Sequence, residues 1–73
     1  MTIKIKTILG VGKKAHTTIT TALFNDGGEE LIATGVGEYA EGEVVHLFHD
    51  DKYNRLKFTK IKYEKTENVA AVN

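Results

Sequence analysis

The sequence predicts a small all-β domain: five strands in an antiparallel meander closing into an SH3-like barrel, with an OB-like barrel as the alternative. Three observations lead there. Apolar and charged residues alternate at Ile3, Lys4, Ile5 and Lys6, the two-residue period of a half-buried strand. The ten residues from His16 to Asn25 include four threonines, whose branched β-carbons favour strands over helices. Asn25-Asp26-Gly27-Gly28 then supplies residue types that tolerate the positive φ angles of a tight hairpin.

Length and composition set the frame for these elements. A chain of 73 residues buries only about 60% of the surface its unfolded form exposes, which supports one core and not two. Residues 1–65 are read as a single barrel domain and 66–73 as a flexible C-terminal tail, since Ala70, Ala71 and Val72 follow no usable period. The chain has no Cys, Ser, Pro, Trp or Gln. Disulfides, thiolate metal sites and Ser or Cys nucleophiles are thereby excluded.

Taken in order, the first strand covers residues 2–9, and Gly10-Val11-Gly12-Lys13-Lys14 breaks it with a turn or bulged loop. The Thr-rich segment 16–25 is strand two, pairing antiparallel with strand three at about 30–36. In strand three Ile32, Thr34 and Val36 share one face and Leu31 and Ala33 the other. Gly35 and Gly37 mark bending or close backbone approach. Residues 38–42 are too tightly bracketed by Gly37 and Gly42 for a helix and form a loop, which counts against the OB-like alternative because that barrel usually carries a helix there. Strand four, 43–49, has apolar residues on both faces at Val44, Val45, Leu47 and Phe48, as a well-buried strand does. The last strand, 54–64, changes parity between Leu56 and Phe58 on one side and Ile61 and Tyr63 on the other. An extra residue near Thr59 and Lys60 is therefore expected, as a bulge or bend that helps to close the barrel.

The neutral formal charge hides a segregation along the chain. Residues 1–14 carry +4, residues 26–51 carry −8, and residues 52–65 carry +5. These runs predict an interaction module working through charged patches. The acidic patch comprises Asp26, Glu29, Glu30, Glu38, Glu41, Asp50 and Asp51, and its expected partner is a basic protein surface or another copy of the chain. A salt-resistant homo-oligomer would instead point to an apolar interface at strand edges or at Val11, Tyr39 and Phe24. The alternative is nucleic-acid binding by Lys4, Lys6, Arg55, Lys57, Lys60 and Lys62 on the first and last strands. Phosphates call for clustered cations, and Tyr63 and the nearby Tyr53 offer stacking surfaces.

The remaining motifs are weak. Gly10-Val11-Gly12-Lys13-Lys14 lacks the four-residue spacing and trailing Ser or Thr of a phosphate loop, and reads as a turn. His46, His49, Asp50 and Asp51 have metal-ligand chemistry, but positions 46 and 49 of a strand point to opposite faces. The threonines at 17, 18, 20 and 21 are cross-strand packing residues. No catalysis, cofactor or metal is expected. The N-terminus has no apolar core of a secretory signal, and no apolar run approaches the roughly 18 residues of a membrane span, so the expected location is cytoplasmic.

Overall fold

The computed structural model describes residues 1–61, which hold six strands and no helix: β1 (Thr2–Lys4), β2 (Thr7–Lys14), β3 (Thr17–Asp26), β4 (Glu29–Val36), β5 (Val44–Asp50) and β6 (Arg55–Lys60). They form one sheet in the order β1-β5-β6-β4-β3-β2, curled into a half-barrel. The all-β expectation holds, but the meander does not. β6 lies parallel to β4, with Thr34 beside Lys57 and Gly35 beside Phe58, so the chain crosses over between β4 and β6 instead of pairing each strand with the next.

The expected first strand is divided in two by a change of partner. β1 pairs with β5 at one edge of the sheet, and β2 pairs with β3 at the other. Only Ile5 and Lys6 separate them. The Ile5 N–H donates to the Glu43 carbonyl and the Lys6 N–H to the Leu23 carbonyl, both at 2.9 Å, so the switch occurs within one peptide unit. Ile5 points into the core at 1% exposure.

β2 then continues through the glycines expected to break it. The irregularity sits at Leu9, where the register with β3 slips between Ile8 and Gly10, and the turn comes later, at Ala15 and His16. Both of these residues have positive φ, 50° and 68°, the pattern of a type I′ hairpin turn. The β3–β4 hairpin falls where the sequence predicts it. Gly27 and Gly28 take φ of 62° and 92°, and the Gly28 N–H donates to the Asn25 side-chain oxygen at 2.9 Å.

The interior is built on alternate residues of each strand. Ile5, Ala22, Phe24, Ala33, Val45, Leu47 and Phe58 are buried, with Ile3, Ile8, Leu31, Tyr39 and Leu56 packed around them. Phe58 is the hub. Its ring meets Phe24 edge-on at 5.3 Å and Tyr39 at 4.7 Å, and it lies against Gly35. A Cβ at Gly35 would fall 2.6 Å from the nearest ring carbon, so only glycine admits the ring there.

Two expectations about the later strands change. β5 is half-buried and not fully buried: Val45 and Leu47 face inward, while Val44 and Phe48 face solvent. The bulge expected at Thr59 and Lys60 is absent, since the β5–β6 register runs unbroken from Asp50↔Arg55 to Val45↔Lys60. Ile61 keeps the outward parity of Thr59. Tyr63, the rest of the expected last strand and the tail lie outside the described residues.

Candidate functional site

Folding brings two of the acidic turns to one end of the sheet and links some acids to lysines of the basic runs. Because β4 and β6 are parallel, the turn that carries Asp26, Glu29 and Glu30 and the turn that carries Asp50 and Asp51 lie at the same end of the sheet. Glu38 and Glu41 belong to the loop leaving the other end of β4. Several acids meet lysines of the basic runs. Lys6 lies 3.7 Å from Glu30, Lys57 3.3 Å from Asp50, and Lys60 2.8 Å from Glu43. Glu41 accepts the Ile8 N–H at 3.1 Å.

The basic stripe is also divided. β5 stands between β1 and β6, so Lys4 and Lys6 are not neighbours of Arg55 and Lys57 across a shared strand edge. Lys60 is committed to the fold: it donates to the Glu38 carbonyl at 2.9 Å and to Glu43, and its ammonium sits 4.3 Å from the Tyr39 ring centre. Lys62 and Tyr63 lie outside the described residues. Of the expected apolar contacts, Phe24 is fully buried in the core and is not available to a partner, Tyr39 is half-buried against Phe58, and Val11 is exposed.

These ion pairs leave a chemical trace. The Lys60 ammonium bonded to Glu43 holds that carboxyl below its usual value, against the opposing effect of burial. For Asp50 burial pushes upward, but hydrogen bonds from Lys57 and from the Lys52 and Tyr53 backbones hold the carboxyl below its usual value. Burial pushes the Tyr39 hydroxyl up, and its proton is donated to the Val36 carbonyl at 3.0 Å.

What folding assembles instead is a groove on the outward face of β3, β4 and β6. It encloses about 180 Å³ and is lined by Lys14, Ile19, Thr34, Val36, Arg55 and Lys57, with the backbone of Gly35 at its base. Among the described residues no carboxylate lines it. The strand period explains the composition. Ile19 faces Val36 in one outward row, and Thr21, Thr34 and Lys57 face one another across β3, β4 and β6 in the next, so an apolar row and a row running from hydroxyls to a cation lie side by side. Lys14 reaches the groove from the end of β2, beside the Ala15-His16 turn. Among the described residues Lys14 and Arg55 have no carboxylate within ion-pair distance.

Aromatic rings flank this groove. Phe48, 38% exposed, is the cross-strand neighbour of Lys57, and its ring stacks on His46 at 5.8 Å with 20° between planes. Tyr53 projects from the β5–β6 turn with Lys52 and Arg55 over its ring at 5.4 and 5.2 Å. His46 and His49 go to different faces, as strand parity requires. His49 contacts Asp51 at 2.7 Å and Asn54 at 3.2 Å within the turn, and no group of three His, Asp or Glu side chains gathers in metal-binding geometry among the described residues.

Sequence reasoning misses Lys14, Ile19, Thr34, Val36 and Phe48 as site residues. It puts Lys14 in a glycine loop and Phe48 in the core. The alternation Ile32-Thr34-Val36 is legible as one face, but which face meets solvent is not. Compared with protein-family models, curated proteins and solved structures, the chain matches none. No helix among the described residues is long and apolar enough to cross a membrane.

Proposed function

We propose that this protein is a non-enzymatic nucleic-acid-binding module of the cell interior, and that the outward face of β3, β4 and β6 is its binding surface. The observation that carries this reading is the groove, lined by no carboxylate among the described residues, in which Lys14, Arg55 and Lys57, the last also paired with Asp50 at 3.3 Å, surround an apolar floor of Ile19 and Val36. Phosphates need converging cations, and sugars and bases need apolar surface beside them.

The strand order supports the same reading through the fold. If residues 2–14 are counted as one bent strand, the sheet has the order 1-4-5-3-2-1 with strands three and five parallel, which favours the OB-type arrangement over the SH3-like one. OB-type barrels bind oligonucleotides on their second and third strands and on the loops joining strands one to two and four to five. Here those are β3, β4, the turn beside Lys14 and the turn that holds Tyr53. The segment where such barrels usually carry a helix is the glycine-bracketed loop of residues 37–43.

A fluorescence-anisotropy titration with a labelled oligonucleotide tests the proposal. Binding at low ionic strength that weakens linearly in log–log against salt is expected. Lys14→Ala with Arg55→Ala should flatten that slope by about 1.4, since each phosphate contact to a single strand contributes about −0.7. No binding at low ionic strength would remove the reading.

One observation favours protein contact as a second reading. Ile32 and Val36 stand 59% and 60% exposed on the outward face of β4, beside the half-buried Ile19 and Leu23. A second copy covering this stripe would give a mass by light scattering above the 8.1 kDa monomer that does not fall as salt rises. A monomer at every ionic strength would reject it.

A further inference from the structure

The outward row of the sheet crosses five strands in register: Gly10 on β2, Thr21 on β3, Thr34 on β4, Lys57 on β6 and Phe48 on β5. At the spacing of neighbouring strands this row is about 19 Å long. It begins with backbone and hydroxyls, passes one cation and ends on an aromatic ring. Phe48 stands 38% exposed on the outward face of β5, so its ring contributes less to the core than an inward one. His46 lies almost parallel to it and stacks against the Phe48 ring.

Tyr53 supplies a second ring beyond the same cations. Its turn is tied down from several sides: the Lys52 N–H donates to Asp50 at 3.0 Å, and His49 bridges Asp51 and Asn54. Asn54 holds φ of 53°, which turns the chain directly into β6. The exposed ring is therefore preorganised between Lys52 and Arg55.

We propose that the ligand of this face is single-stranded nucleic acid, with unpaired bases stacking on Phe48 and Tyr53 while Lys14 and Arg55, which have no carboxylate partner among the described residues, take the intervening phosphates beside the pair that Lys57 makes with Asp50; this rests on the nucleic-acid reading above. Flat rings alternating with cations match a strand whose base faces are free. In a duplex those faces are covered by neighbouring pairs and the rings have nothing to stack on. Stacking of this kind tolerates sequence, because every base has a π-face, so little base preference follows.

The test compares three labelled probes at one low salt concentration: a 12-nucleotide poly-dT strand, a 12-nucleotide poly-U strand and a 12-base-pair DNA duplex. At least tenfold tighter binding of either single strand than of the duplex is expected. Phe48→Leu and Tyr53→Leu should each weaken single-strand binding about tenfold without changing the salt slope, because stacking releases no counterions. Tyr53→Phe should restore the affinity. Circular dichroism of each variant checks the fold, and Tyr53, in an exposed turn, keeps the test open if Phe48→Leu fails to fold. Duplex bound as tightly as single strands, or leucine variants that bind like the parent protein, would overturn this inference and leave the nucleic-acid reading standing. Failure of all three probes to bind would overturn both.

Discussion

Gly35 joins the inside of the sheet to the outer groove: its missing side chain lets the Phe58 ring sit against the backbone, and its backbone forms the base of the groove. Gly35→Ala would drive a methyl group to within 2.6 Å of that ring. A cost of about 1–3 kcal/mol is expected for such overpacking, read as a fall in denaturation midpoint, and unchanged stability would contradict the packing described. The close approach is legible in the sequence, where glycine interrupts a strand, although the partner ring is not. Ala15 and His16 show the opposite case. They hold positive φ without being glycine, so nothing in their identities announces a turn, whereas Gly10 and Gly12 announce one that does not exist. The double substitution Ala15→Asn with His16→Gly installs the Asn-Gly pair that a type I′ turn prefers, and should stabilise the protein by about 0.5–1 kcal/mol. Thermal denaturation checks this, with a lowered midpoint as the contrary result.

At the scale of elements, the loop of residues 37–43 is held by side chains and not by a helix. Gly37 carries φ of 114°; its N–H donates to the Thr18 carbonyl at 2.9 Å and its carbonyl accepts the buried Thr20 hydroxyl at 2.7 Å. Lys60 of β6 ties the two ends of the loop together through the Glu38 carbonyl and the Glu43 carboxylate. The same pairing sets a pH dependence. Glu43 and Asp50 bind protons less readily in the folded protein than their ordinary values of 4.5 and 3.8 imply. The unfolded chain therefore takes up more protons in acid, and the stability these groups contribute is present above their unfolded values and lost as pH falls through the lower folded ones. The melting temperature should decline below about pH 5, and less steeply in a Glu43→Gln, Asp50→Asn variant than in the parent protein. Identical acid limbs would contradict these ion pairs. Strand parity makes most elements readable, but the parity change expected of the last strand belongs to the first. Ile3 and Ile5 face inward, then Ile8 packs against the core after the partner switch, opposite Ala22 and just before the Leu9 bulge. The odd-to-even shift from Ile5 to Ile8 is visible in the sequence. Without knowing that both ends of one strand serve opposite edges of the sheet, it carries no topology.

For the whole molecule, the arrangement of charge decides what the surface can recognise. A count along the chain predicts separate basic and acidic regions, but antiparallel and crossover pairing places lysines of β6 beside acids of β5 and of the loop before it. Sequence distance is a poor guide to charge proximity once a sheet folds over itself. On the outward face, cations line one apolar groove of a chain whose net formal charge is zero. A neutral protein has little long-range attraction for a polyanion, so binding should depend on contacts in the groove and fade quickly with salt. The most direct measurement is a chemical-shift map of the isotopically labelled protein titrated with a short oligonucleotide at low ionic strength. Shifts concentrated at Ile19, Thr34, Val36 and Lys57, with the Asp26–Glu29 hairpin tip unmoved, are the predicted result. Shifts centred on that hairpin, or none anywhere, would contradict the account.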